Sequence, residues 1–293
     1  MREIEGVYVA NVTPFREDSL AVDDGAYIEH VSWLAGMGVR GVVPFGTNGE
    51  GPSVTLGEKL RVLDALFGRG IETQIIPAVM QNNLPDTLEM LHALEDYPAT
   101  AVLVLPPYYF KPVEPEGMVR FYEPALEATG HTTIVYHIPK YAVPVPDRVV
   151  RELPVWGVKD SGGEEGYAEA VLQGGKGVLL GTEDDLWRRL GTGAQGVISA
   201  LANFIPAEVL ELYEKHGEGD EAGGTALSER LQKARAITKE YASPAVLKKL
   251  AEARNGAPMG TVRPPFVPLP ADYDPTSALQ AVSQEAGRRR SST

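Results

Sequence analysis

Cysteine is missing altogether from the 293 residues. That excludes disulfides, thiolate metal sites and a cysteine nucleophile, and it leaves the redox compartment open. Basic residues are outnumbered, with 27 Lys and Arg against 40 Asp and Glu, for a formal net charge of −13. A surface of that sign does not neutralise phosphates, so nucleic acid is not an expected partner. No apolar run approaches the roughly 18 residues of a membrane-spanning helix, so no membrane partner is expected. The opening MREIEGVYVA is acidic and lacks the charged-then-apolar layout of a signal peptide, so a cytoplasmic location is the expectation. The histidines, His30, His92, His131, His137 and His216, show no metal-binding spacing, and no metal is expected.

What is present reads as an ordinary globular chain, 43% hydrophobic and 23% charged. Short apolar runs alternate with amphipathic stretches, and the runs predict strands over 7–12, 41–45, 73–79, 101–105, 133–138, 155–159, 178–180 and 196–200. Helix punctuation falls between them. Tyr27, Val31, Leu34 and Ala35 share one helical face, with Gly38 as a stop. Thr55-Leu56-Gly57-Glu58 fits a capping box, and Ser243-Pro244 reads as an N-cap followed by a first-turn proline. Repeated β-then-α units imply a parallel sheet with right-handed crossovers, and eight of them close a barrel. The expected fold is therefore α/β, a (β/α)8 TIM barrel over residues 1–206, with a C-terminal helical extension over 207–278 packed on it. The polar end, residues 279–293, is expected to be a disordered tail.

One strand ends strangely. In VWGVKD, residues 155–160, alternation sets Val155, Gly157 and Lys159 on one face and Trp156, Val158 and Asp160 on the other. Trp156 and Val158 suit the layer under the outer helices, so Lys159 is expected to point into the barrel. It stands at the C-terminal end of its strand, where barrel enzymes work. Two readings are open there. Lys159 either pairs with its neighbour Asp160, or is an amine whose desolvation disfavours the charged form and makes it a nucleophile toward a ketone. Gly157, Gly162 and Gly163 are read as leaving room for a substrate.

Two other strand ends support the second reading. Gly46-Thr47-Asn48-Gly49-Glu50-Gly51 is a glycine-rich turn whose N–H groups, hydroxyl and amide suit a carboxylate or phosphate. In Tyr136-His137-Ile138-Pro139, Tyr136 is placed to project inward, and a buried phenol wants a partner. His137 then faces the helices. A dinucleotide fingerprint is not supported: the G-x-G-x-x-G at Gly191 to Gly196 precedes a strand instead of following one. It reads as a tight turn.

GTNGEG, YHIP and GVKD, in this order and at these strand ends, resemble the dihydrodipicolinate synthase and N-acetylneuraminate lyase superfamily of Schiff-base, pyruvate-dependent lyases. The likeness runs from Val12-Thr13-Pro14-Phe15 to the GTVRPPFVPL stretch at 260–269, and includes Pro107-Tyr108-Tyr109 and Gly196-Val197-Ile198-Ser199. The resemblance implies that Lys159 forms the imine with a 2-oxo acid and that Tyr136 is the general acid/base. It implies further that Thr47 bonds the phenol and that Tyr109, in relatives often from a neighbouring subunit, completes a relay. Thr47, Asn48 and the backbone of Gly46 and Gly49 would hold the substrate carboxylate, with Tyr141 and Ile198 lining the site. Asn48 departs from the usual second Thr or Ser, though an amide still donates. No cofactor is implied, because the lysine is the electron sink. The implied partners are a small 2-oxo acid and an aldehyde, and the implied assembly is a homotetramer.

Lysine-pathway synthases of this family carry an arginine where this chain has Tyr141, and Lys140 beside it does not copy a guanidinium fork. An aldolase acting on a 2-keto-3-deoxy sugar acid is therefore the favoured expectation. Dihydrodipicolinate synthase, N-acetylneuraminate lyase, a keto-deoxy acid dehydratase and a non-catalytic 2-oxo acid binder are the alternatives.

Overall fold

The apolar runs set the strands, and the polar stretches between them set the helices. A computed structural model describes residues 3–276, 279 and 280. Its first half runs β1 (Gly6–Val9), α1 (Asp24–Gly36), β2 (Gly41–Val42), α2 (Leu56–Gly68), β3 (Gln74–Ile75), β4 (Ala78–Val79), α3 (Leu84–Leu94), β5 (Val102–Val104) and α4 (Pro115–Glu127). The rest of the barrel follows as β6 (Thr133–His137), α5 (Asp147–Glu152), β7 (Gly157–Asp160), α6 (Tyr167–Gln173), β8 (Gly177–Leu180), α7 (Leu186–Leu190) and β9 (Gly196–Ser199). Three further helices follow: α8 (Pro206–Glu218), α9 (Glu221–Ile237) and α10 (Ser243–Asn255). No helix among the described residues is long and apolar enough to cross a membrane.

Neighbouring strands pair in the order β3-β2-β1-β9-β8-β7-β6-β5-β4, all parallel. The two ends of that order are halves of a single extended stretch, divided at Ile76-Pro77. Pro77 has no N–H to give a ladder, so regular pairing breaks there. The stretch still bonds on both sides. Ile76 and Ala78 donate to the carbonyls of Val42 and Pro44, while Leu103 and Leu105 donate to those of Pro77 and Val79. The sheet therefore closes into the expected barrel, with its third strand in two pieces.

Period-two alternation sorts the strand residues into two cores. Tyr8, Val43, Ala78, Leu103, Ile134, Tyr136, Leu179 and Ile198 fill the interior. Val7, Val42, Val79, Val104, Val135, Val158, Val178 and Val197 face outward under the helices. Each such fully buried aliphatic side chain stabilises the fold by about 1.5–3 kcal/mol before entropy is counted. On the strand that carries Lys159, one expectation is corrected. Regular β7 begins only at Gly157, so Val155 joins the outer core and Trp156 packs on the inner one, the reverse of an unbroken alternation. From Val158 the expected sides hold.

The caps are mostly as read. Thr55 and Glu58 form both bonds of the capping box, and Gly38, at φ +88, takes the left-handed turn after α1. Ser243 differs. It is the first helical residue of α10, Ala242 is the N-cap, and the Ser243 hydroxyl turns away from the helix to another acceptor. Of the expected tail, residues 279 and 280 are helical, and the rest, from residue 281 on, lies outside the described residues.

Candidate active site

Adjacent parallel strands bring Tyr136 and Lys159 level: they are register partners on β6 and β7, and both face the barrel interior. Lys159 is 3% exposed, and its Nζ lies 4.3 Å from the centroid of the Tyr136 ring. An ammonium or amine at that distance is held against the π-face. The Tyr136 hydroxyl in turn lies 3.2 Å from Thr47 Oγ1, brought in by the turn after β2. Amine, phenol and secondary hydroxyl are thus contiguous at the C-terminal ends of three strands.

The ion-pair reading of Lys159 fails on geometry. Asp160 points outward, where Arg189 donates to its Oδ2 at 2.7 Å and the N–H groups of Gly162 and Gly163 donate to its Oδ1. No carboxylate pairs with Lys159 among the described residues. A buried amine left without an anion is costly unless its chemistry is used. The glycines read as substrate space have other work. A Cβ on Gly157 would collide with the Gly177 backbone of β8, and one on Gly162 would meet Glu164 and His137. They allow close packing of strand and loop.

The loop at 46–51 is held from outside the barrel. Phe45 and Glu50 both adopt positive φ, 62° and 52°, and a Cβ on Gly51 would collide with the Phe45 carbonyl. Thr13 Oγ1 donates to Gly49 O at 2.7 Å. Glu50, 1% exposed, receives Lys248 Nζ of α10 at 2.5 Å and the Arg263 N–H at 3.0 Å. Lys248 also donates to Thr261 O and stands 4.2 Å from the Phe15 ring centre. Burial pulls the Lys248 ammonium below its ordinary value, and Glu50 opposes that shift. Arg263 forks onto Glu58 and stacks on Phe15. Its hydrogen bonds, ahead of the opposing burial, bring the Glu58 carboxyl down to about 2. Asn48 Oδ1 receives the Ser243 hydroxyl at 3.2 Å.

The remaining candidates fall as follows. Ile198 is fully buried in the inner core, and Gly46 and Gly49 lie buried in the loop. Tyr141 sits at the turn after β6, 49% exposed, with Lys140 Nζ 4.9 Å from its ring centre. Tyr109 does not join the phenol pair within one chain. Asn82 Oδ1 accepts its N–H and that of Tyr108, which fixes the turn, but the Tyr109 side chain is 77% exposed beside an equally bare Phe110. On the outer side, His137 stacks on Tyr167 of α6, as its facing predicted. Among the described residues, His137, Asp160 and Glu164 form the one cluster of metal-ligand types. Its donors are committed, however: His137 Nδ1 accepts the Val145 N–H, so Nε2 keeps its proton and donates to Glu164 at 3.0 Å.

Lys248, Glu50, Arg263 and Ser243 were not singled out from the sequence as parts of the site. The usable signal was a glutamate inside a glycine-rich turn. Buried there, it requires a cation, and Lys248 interrupts the apolar stretch Ala245, Val246, Leu247, Leu250 of α10.

A closed parallel barrel that gathers reactive side chains at its C-terminal rim defines the class as a barrel enzyme. The model of the dihydrodipicolinate synthetase family matches residues 3–284. An uncharacterized DapA-like lyase of Chloroflexus aurantiacus is 28% identical, covering 96% of each chain. The 4-hydroxy-tetrahydrodipicolinate synthase of Nitrobacter hamburgensis is 32% identical, covering 78% of this chain and 79% of that one. Among solved structures, a variant of the Sulfolobus solfataricus 2-keto-3-deoxygluconate aldolase superposes with a TM-score of 0.86 at 22% identity, covering 97% of this chain and 96% of that one. The chain belongs to the dihydrodipicolinate synthetase family, and with it to the aldolases and lyases of class I type.

Proposed function

We propose that the protein is an aldolase that cleaves a 2-keto-3-deoxy sugar acid to pyruvate and an aldehyde through an imine on Lys159. One observation carries the reading: a buried lysine with no carboxylate partner among the described residues, in contact with the ring of a tyrosine whose hydroxyl reaches Thr47. The neutral amine attacks C2 of the 2-oxo acid, and loss of water leaves a protonated imine. Tyr136 gives its proton to the departing water, and the resulting phenolate, held by Thr47, accepts the proton of the C4 hydroxyl. The C3–C4 bond breaks, its electron pair moves toward the imine nitrogen as an enamine, and the aldehyde departs. Protonation at C3 and hydrolysis then release pyruvate and restore the amine. Thr47, Asn48 and the backbone of Gly46 and Gly49 hold the carboxylate. Tyr109 reaches the relay from a second copy of the chain within a homotetramer, which is why its side chain is bare in one chain alone.

The condensing direction, pyruvate with an aldehyde that carries its own carboxylate, is the second reading, and the synthase name of the Nitrobacter relative favours it. Against it stands the rim. Tyr141 offers no charge, and the Lys140 ammonium rests over its ring, where it is not a two-pronged carboxylate ligand. Borohydride added with pyruvate should fix a mass increment on the Lys159 peptide, and an unmodified peptide at full trapping conditions would end the imine proposal. Assays of pyruvate release from 2-keto-3-deoxy acids, set against consumption of pyruvate with aspartate semialdehyde, then separate the two directions.

A further inference from the structure

The serine expected to cap α10 instead bonds Asn48, the residue that stands where the resemblance implies a second Thr or Ser. The Ser243 hydroxyl donates to Asn48 Oδ1 at 3.2 Å, and the helix is left with Ala242, which has no capping side chain. Ser243 stands at the first helical position, past the N-cap, so its hydroxyl serves no capping bond and is open to another use.

Asn48 supplies that use. A threonine or serine hydroxyl can donate or accept by rotating its hydrogen, but a side-chain amide has two unlike ends. Its N–H face attracts a carboxylate, and its oxygen repels one. An amide in the carboxylate loop is therefore useful only when it is held the right way round. With Oδ1 engaged by Ser243, both Nδ2 hydrogens remain for the other side. The register between helix and loop is fixed independently. Lys248 of the same helix grips Glu50, two residues along the loop, at 2.5 Å, and Arg263 N–H closes on the other Glu50 oxygen at 3.0 Å. Both residues of that ion pair are buried, which prevents α10 from sliding relative to Asn48.

We propose that Ser243 is a positioning residue that locks the Asn48 amide with its N–H face toward the substrate carboxylate, so that the C-terminal extension takes part in selecting an anionic substrate. The inference rests on the reading of Asn48 as a carboxylate ligand. Borohydride trapping of the Schiff base, measured against pyruvate concentration and against the neutral analogue pyruvamide, gives an apparent affinity for each. Ser243→Ala should weaken pyruvate about fivefold and leave pyruvamide unchanged, as expected for one lost orienting hydrogen bond. Ser243→Thr, which keeps the hydroxyl, should restore the preference. In an Asn48→Thr background, where nothing needs orienting, Ser243→Ala should have no effect on the ratio. Equal weakening in both backgrounds, or loss of both ligands together, would mean that Ser243 acts only through helix stability, and would overturn the proposal. Asn48→Ala separates the two levels. If it weakens pyruvate while Ser243→Ala does not, the carboxylate reading stands and the Ser243 role falls. If Asn48→Ala leaves pyruvate untouched, both fall.

Discussion

Acidification from pH 7 to pH 5 should weaken this fold through His30. The ring is fully buried on α1, stacked on Trp33 with its centroid 6.1 Å away. Its two nitrogens meet amides whose orientations the backbone has already decided. Asn255 Oδ1 accepts the Ala257 N–H, so Asn255 donates through Nδ2 to His30 Nδ1 at 2.9 Å. Asn203 Nδ2 donates to the carbonyls of Ala10 and Ala200, so Asn203 Oδ1 accepts from His30 Nε2 at 3.0 Å. A proton added at Nδ1 would face an N–H and break that contact. Burial accordingly pulls His30 from 6.5 down to about 4, with the Asn203 bond opposing. Because the folded value lies below the unfolded one, the unfolded chain takes the proton first as pH falls. The contribution is complete above about pH 6.5 and is lost on the way to about pH 4. Linkage puts the loss at about 2 kcal/mol between pH 7 and pH 5. Urea unfolding at both pH values, for the wild type and for His30→Gln, isolates it from the carboxylates that titrate in both proteins. His30→Gln should start less stable at pH 7 and lose about 2 kcal/mol less on acidification. Equal losses would refute the assignment of a neutral buried ring.

Two further outcomes are expected. Tyr136→Phe removes the hydroxyl that contacts Thr47 but keeps the ring beneath Lys159, so pyruvate trapping should survive while turnover drops about 10²-fold or more; unchanged turnover would remove Tyr136 from the mechanism. Lys248→Met strands the buried Glu50 carboxylate, and a loss of about 3–5 kcal/mol in urea melts is expected, with Glu50→Gln added in the same chain recovering part of it.

The barrel and the inward face of Lys159 were readable because a closed parallel sheet imposes strict alternation, and GVKD obeys it from Val158 onward. Where the chain bends, the periodicity had no hold, and Trp156 went to the other side. The division of the third strand at Pro77 needed only the missing N–H, which a run of apolar residues disguises. Asp160 could not be assigned from adjacency, since its partner Arg189 lies 29 residues on, and strand neighbours face opposite ways. The supports of the loop at 46–51 were hidden for a related reason. Helical and strand periodicities describe local geometry, whereas Ser243 and Lys248 meet Asn48 and Glu50 across separations of 195 and 198 residues.

Those separations bear on how the protein comes to life on the ribosome. The last barrel strand ends at Ser199, yet the buried cation that settles Glu50 arrives only with Lys248, and the backbone N–H that completes it with Arg263. A nascent chain can thus close its ring of strands while Glu50 still lacks the lysine and the backbone N–H that hold it. The loop at 46–51 should therefore reach its final form only near the end of synthesis, after the last barrel strand has emerged.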